Sequence, residues 1–156
     1  MSLERLITKN LADLGLTLPP VAAVKGNYLP YTIAGNLVYL SGTLPIDEGK
    51  VAFTGAVGDV QTVETGYESA KLCALNALAI LAEATENFTT LKRIVSLGGF
   101  VNSINGFQDS PKVINGASDF LVAALGDAGR HVRVAVSTNG LPLGATTETQ
   151  IIAELA

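Results

Sequence analysis

The sequence has no tryptophan, one cysteine (Cys73), one histidine (His131) and few charges, 15% of its residues. A lone cysteine excludes an intramolecular disulfide and the cysteine-based metal motifs. A lone histidine leaves the usual zinc constellations unfilled. Basic residues are sparse: 10 Lys and Arg stand against 14 Asp and Glu, a formal net charge of −4, and Lys92-Arg93 is the only adjacent basic pair. Nucleic-acid binding relies on clustered basic side chains that neutralise phosphates, so no nucleic-acid partner is expected. The N-terminal MSLERLITKN carries charges where a signal peptide needs an apolar core, which predicts a cytoplasmic protein. Long apolar spans are missing too. The longest charge-free stretch, Gly26 to Ile46, is broken by Pro30, Pro45, Asn27, Asn36 and three glycines. It reads as strands and turns, with no membrane partner implied. Walker, dinucleotide-binding and G-x-S-x-G signatures are also absent.

What is present is apolar: 48% of the 156 residues are hydrophobic. That is rich for one small domain and points to a thick core or to a covered subunit surface. Ser2 can cap a helix whose Leu3, Leu6, Ile7, Leu11 and Leu14 share a stripe, ended by Gly15 and Pro19-Pro20. Its polar face (Glu4, Arg5, Lys9, Asp13) should stay wet, and the helix should be dispensable for chemistry. The runs YTIA and LVYLSG flank a Gly35-Asn36 turn as strands, and KVAFTG follows as a weaker one. Thr62 opens a long buried helix; Leu91 to Val101 reads as a central strand. Asp109 or Ser110, with Pro111, opens a further helix that Gly126 closes. HVRVAVST and TETQIIAEL then read as a C-terminal hairpin around Asn139-Gly140-Leu141-Pro142. The expectation is one α+β domain over residues 1–156, with 2–15 an added N-terminal helix. Two long helices should cover one face of a mainly antiparallel sheet, leaving the other face for a partner.

The hairpin carries the chemistry-bearing pattern. Arg133 interrupts an apolar strand between Val132 and Val134, eight residues before Leu141, and Glu148 follows seven residues after it. A hairpin would set the two at similar heights on neighbouring strands, within reach of one site. Arg grips a carboxylate through two parallel hydrogen bonds, and a nearby carboxylate can orient water or move protons. A structural ion pair at a sheet edge or subunit interface accounts for the same spacing.

The segments YLPYTIAGNLVYLSGTLP, FVNSINGF and GRHVRVAVSTNGLPLGATTETQIIAEL, in this order, resemble the signature regions of the reactive intermediate deaminase (Rid, YjgF-like) family. The resemblance implies a chorismate mutase-like fold and a homotrimer with clefts between subunits. It implies hydrolysis of 2-imino acids to 2-keto acids and ammonia, with no metal or organic cofactor. Arg133 matches the family's carboxylate-binding arginine and Glu148 its water-handling glutamate. Tyr28, Asn105 and Ser41 match further site residues. Ala135 stands where many members carry a cysteine, which leaves only its backbone N–H for ligand binding. Two other readings remain open: a non-enzymatic trimeric module for a small carboxylate metabolite, and an endoribonuclease or translation inhibitor, which the acidic charge disfavours.

Overall fold

The computed structural model describes residues 1–156. Helix α1 (Leu3–Asp13) starts where the Ser2 hydroxyl accepts the Arg5 N–H. Ile7 and Leu11 are buried in the core, while Arg5, Lys9 and Asp13 stay exposed. Asn10 fastens the helix to its neighbour by donating to the Ala124 carbonyl at 3.1 Å.

Strands β1 (Tyr31–Ala34) and β2 (Leu37–Leu40) form the expected hairpin, and two short strands, β3 (Ile46–Asp47) and β4 (Lys50–Val51), pair separately. Helix α2 (Val63–Ala84) begins at a reciprocal cap in which Thr62 and Thr65 each accept the other's backbone N–H. Strand β5 (Leu91–Asn102) runs through the centre. Helix α3 (Ser110–Leu125) has Pro111 in its first turn and ends at Gly126, whose φ of 63° favours glycine. Strands β6 (Val132–Thr138) and β7 (Thr147–Leu155) complete the elements.

The main sheet has the order β1-β2-β7-β5-β6, and only β5–β6 is parallel. Helices α2 and α3 lie side by side on one face, so close at Gly116 that a Cβ there would collide with the Tyr67 carbonyl oxygen. Ile94, Leu97, Val101, Ile151 and Ala153 point into the core beneath them. The opposite face is bare: Val132 and Val134 are 70% and 60% exposed, Val136 follows them on β6, and Tyr39 is exposed across the sheet on β2. No helix is long and apolar enough to cross a membrane.

One expectation fails. β6 and β7 do not form a hairpin, because β5 lies between them. The unit β5-α3-β6 is a crossover connection, which returns the chain parallel to β5 on one side. β7 then takes the other side, between β5 and β2.

Candidate functional site

Glu148 projects from the bare face of β7, and the buried residues on either side of it are locked to the layer behind. Ser69 Oγ lies 2.6 Å from Thr147 Oγ1, and Thr43 Oγ1 lies 2.9 Å from Thr149 Oγ1. Cys73 Sγ sits 3.3 Å from Thr147 Oγ1. Burial pushes the Cys73 thiol up to about 12, against an opposing hydrogen bond from Thr147, so it is no thiolate nucleophile. A carboxylate on a strand held this way has a fixed position. It rests against Gly42, where any Cβ would collide with Glu148 Oε2. Desolvation raises its pKa above the ordinary carboxylate value, and no ion pair offsets it.

Tyr28 and Ser41 gather at the same place. Ser41 Oγ donates to the Leu29 carbonyl at 2.6 Å and its N–H donates to the Pro30 carbonyl at 2.9 Å, which fastens the Tyr28–Pro30 segment beside Gly42. Tyr28 is 54% exposed and, with Ser41 and Gly42, lines a pocket of about 330 Å³. Lys25 is the one charged residue on that pocket, and it is a second candidate anion partner that sequence reasoning missed.

Arg133 lies elsewhere. On edge strand β6 it points to the helical side, donating from Nη1 to Ser118 Oγ at 3.1 Å and from Nη2 to the Pro111 carbonyl at 3.2 Å. Ser118 Oγ is also 2.8 Å from His131 Nε2, and His131 Nδ1 is 2.6 Å from the Gly129 carbonyl. In the neutral ring Nδ1–H donates to that carbonyl, so Nε2 accepts the Ser118 hydroxyl proton. The Ser118 oxygen is then oriented to receive the guanidinium. Ala135 follows on the same side of β6, opposite Gly99 and partly buried. Asn105 is exposed in the turn after β5, near the far end of β6.

Within one chain, then, Tyr28, Ser41 and Glu148 come together, whereas Arg133 and Ala135 do not join them. Arg133 is in register with Leu97 and Glu148 with Phe100 on the intervening strand, and the two side chains leave opposite faces. The expectation of neighbouring strands and a common site within one chain is corrected accordingly. Strand alternation carries the reason: Arg133 shares the face of buried Leu97, while Glu148 lies between buried Thr147 and Thr149.

A family model described as "YjgF/chorismate_mutase-like, putative endoribonuclease" matches residues 8–155. The chain belongs to this YjgF/chorismate mutase-like family. It is 41% identical to the protein Atu1372 of Agrobacterium tumefaciens, of unknown function, whose crystal structure superposes with a TM-score of 0.92 and coverage of 99% of this chain and 95% of that one. Protein TCP17 of Trypanosoma cruzi is 37% identical over 150 residues, 96% of this chain and 94% of its own. RidA from an Antarctic Psychrobacter shares the fold, with 24% identity, a TM-score of 0.59 and coverage of 88% of this chain and 95% of its own.

In this YjgF-like chain two predictions arise at Glu148. Gly42→Ala must displace the carboxylate, because the new methyl group occupies its place. The variant is expected to fold with near-native secondary structure and lose most of any Glu148-dependent turnover, as circular dichroism beside a coupled imine assay would show. The raised pKa also fixes a sign. The folded chain holds the Glu148 proton more tightly than the unfolded chain, so the ionised carboxylate costs stability. That cost is absent below the ordinary carboxylate range and complete above the raised value. Glu148→Gln should therefore raise the Tm at about pH 8, with the gain vanishing near about pH 4. Thermal scans of both proteins at the two pH values test it; an unchanged Tm difference would contradict the desolvation argument.

Proposed function

We propose that the protein hydrolyses 2-imino acids to 2-keto acids and ammonia in clefts between the subunits of a homotrimer. The observation that carries this reading is the division of the site. Glu148, Tyr28 and Ser41 form one half beside Gly42, and Arg133 forms the other on an edge strand. The bare apolar face around Val132, Val134 and Val136 supports the assembly, because an exposed edge strand of this composition calls for a cover.

In the proposed cleft Arg133 of one copy anchors the ligand carboxylate, with the Ala135 N–H beside it. Glu148 of the next copy removes a proton as water oxygen attacks the imine carbon. That proton passes to the imine nitrogen, which completes the carbinolamine; on collapse the hydroxyl proton moves to the amine as the C–N bond breaks, and the 2-keto acid and ammonia leave. Tyr28, Ser41 and Asn105 shape the cleft and offer hydrogen bonds. An imine is already electrophilic, so orientation and water activation suffice and no covalent intermediate is required. The endoribonuclease named in the family description fits less well. The only adjacent basic pair is spent on Glu154, with Lys92 Nζ at 3.0 Å and Arg93 Nε at 2.6 Å, and these bonds hold that carboxyl below its ordinary value.

A complementation experiment tests the division directly. Arg133→Ala and Glu148→Gln proteins, each inactive, are unfolded together and refolded as a mixture. A cleft is whole when its arginine comes from one variant and its glutamate from the other, so about a quarter of the clefts recover in a random trimer. Recovery of imine hydrolysis, together with a trimer in sedimentation equilibrium, is the expected result. No recovery, or a monomer at micromolar concentration, would overturn the reading.

A further inference from the structure

We propose that the pocket beside Gly42 receives an apolar side chain of the ligand, so that the site selects 2-imino and 2-keto acids bearing branched or aromatic groups over three-carbon ones. The inference rests on the proposed function for the class of ligand, and on the pocket itself for the selectivity. The pocket, about 330 Å³, opens between Tyr28, Ser41 and Gly42. Gly42 is also the residue against which the Glu148 carboxylate packs; Glu148 does not itself line the pocket, and Gly42 is the wall the two have in common. Its walls come from separate parts of the fold: Ile80 from α2, Ile46 from β3, Val24 from the strap after α1, and Leu143 from the turn before β7. A volume of this size is at the lower end for small-molecule sites and would be left mostly unfilled by a methyl group.

Apart from Lys25 and the Tyr28 hydroxyl, the polar side chains on these walls are already committed. Asn76 Nδ2 donates to the Leu44 and Ile46 carbonyls at 3.0 and 2.9 Å. The Ser41 hydroxyl donates to Leu29, and the Thr43 hydroxyl is engaged with Cys73 and Thr149. Beside Asn76, Ser41 and Thr43 a neutral polar ligand side chain would lose water without gaining partners, whereas an apolar one loses only water. The strap (residues 20–25) is held from its N-terminal side by Leu16 and Leu18, which pack on the core, and by the stiff Pro19-Pro20 pair. The strap thus contributes a wall of the pocket, and its role is in choosing the ligand.

Calorimetry with pyruvate, 4-methyl-2-oxopentanoate and phenylpyruvate tests the idea without requiring turnover. The two larger acids should bind at least about ten-fold more tightly than pyruvate, the lower end of what one methylene is worth in a fitted apolar pocket. Ile80→Asp, and Val24→Asp on the exposed strap where folding is not at stake, should each erase that preference. Equal affinity for all three acids overturns the inference, as does a preference that survives both substitutions. Imines made in situ from alanine, leucine and phenylalanine separate the two readings. A keto-acid preference without imine hydrolysis upholds the pocket and overturns the deaminase. Imine hydrolysis without any preference does the reverse.

Discussion

Glu148→Gln is expected to lower the rate of imine hydrolysis by roughly 10²–10⁴-fold, the usual range for losing a general base, while 2-keto acids still bind. Glutamine keeps the shape of the side chain and its place against Gly42 but cannot accept a proton from water. The environment makes the native carboxylate suited to the task. Desolvation raises its pKa, which strengthens it as a base while leaving it ionised above that raised value. The rate should accordingly fall as pH drops through the raised pKa, and the variant should lose that limb of the profile. Stopped assays of imines generated by an amino-acid oxidase, run from acid to neutral pH, would measure both effects. Hydrolysis unchanged in Glu148→Gln would remove Glu148 from the chemistry, and no hydrolysis above the spontaneous rate by the native protein would leave a metabolite-binding module as the better description.

Arg133→Ala should abolish measurable keto-acid binding, because truncating one partner of a hydrogen-bonded charge pair costs about 2–5 kcal/mol. That corresponds to roughly 30- to several-thousand-fold in Kd. Arg133→Lys should recover little. The native fork is held by Ser118 and the Pro111 carbonyl from α3, and an ammonium cannot satisfy both while presenting two parallel donors. Lys25 supplies a competing explanation that calorimetry can separate. If Arg133→Ala binds normally and Lys25→Met does not, the anchor belongs to the strap and Arg133 is structural.

Much of this fold was legible in the residues. The Thr62 cap, Pro111 and Gly126 mark the ends of α2 and α3, and Ser2 marks the start of α1. Such signals are local, since a cap needs only the next few residues. The pairing of β6 with β7 was misread for the complementary reason. Two strands joined by a Gly- and Pro-containing turn look like a hairpin, yet pairing is decided by where α3 returns the chain and by what β5 needs on its other side. At the site, the family resemblance singles out Ser41, although Gly42 is the position that touches Glu148. Lys25 sits in a segment with no periodicity at all, so only the folded strap brings it to the pocket.

The last strand made is the middle strand of the sheet. β7 pairs with β2 on one side and β5 on the other, with Val38 and Ile94 both opposite Ala153. Until residues 147–155 have left the ribosome, neither neighbour has its partner on the side they are to share. The nascent chain therefore carries two open strand edges throughout its synthesis, although α2 can coil much earlier. Closing the sheet also joins residues more than a hundred positions apart, which slows folding through the entropy of loop closure. A polypeptide interrupted anywhere before β7 cannot build a smaller version of this domain. It is left as a sticky fragment for chaperones and proteases.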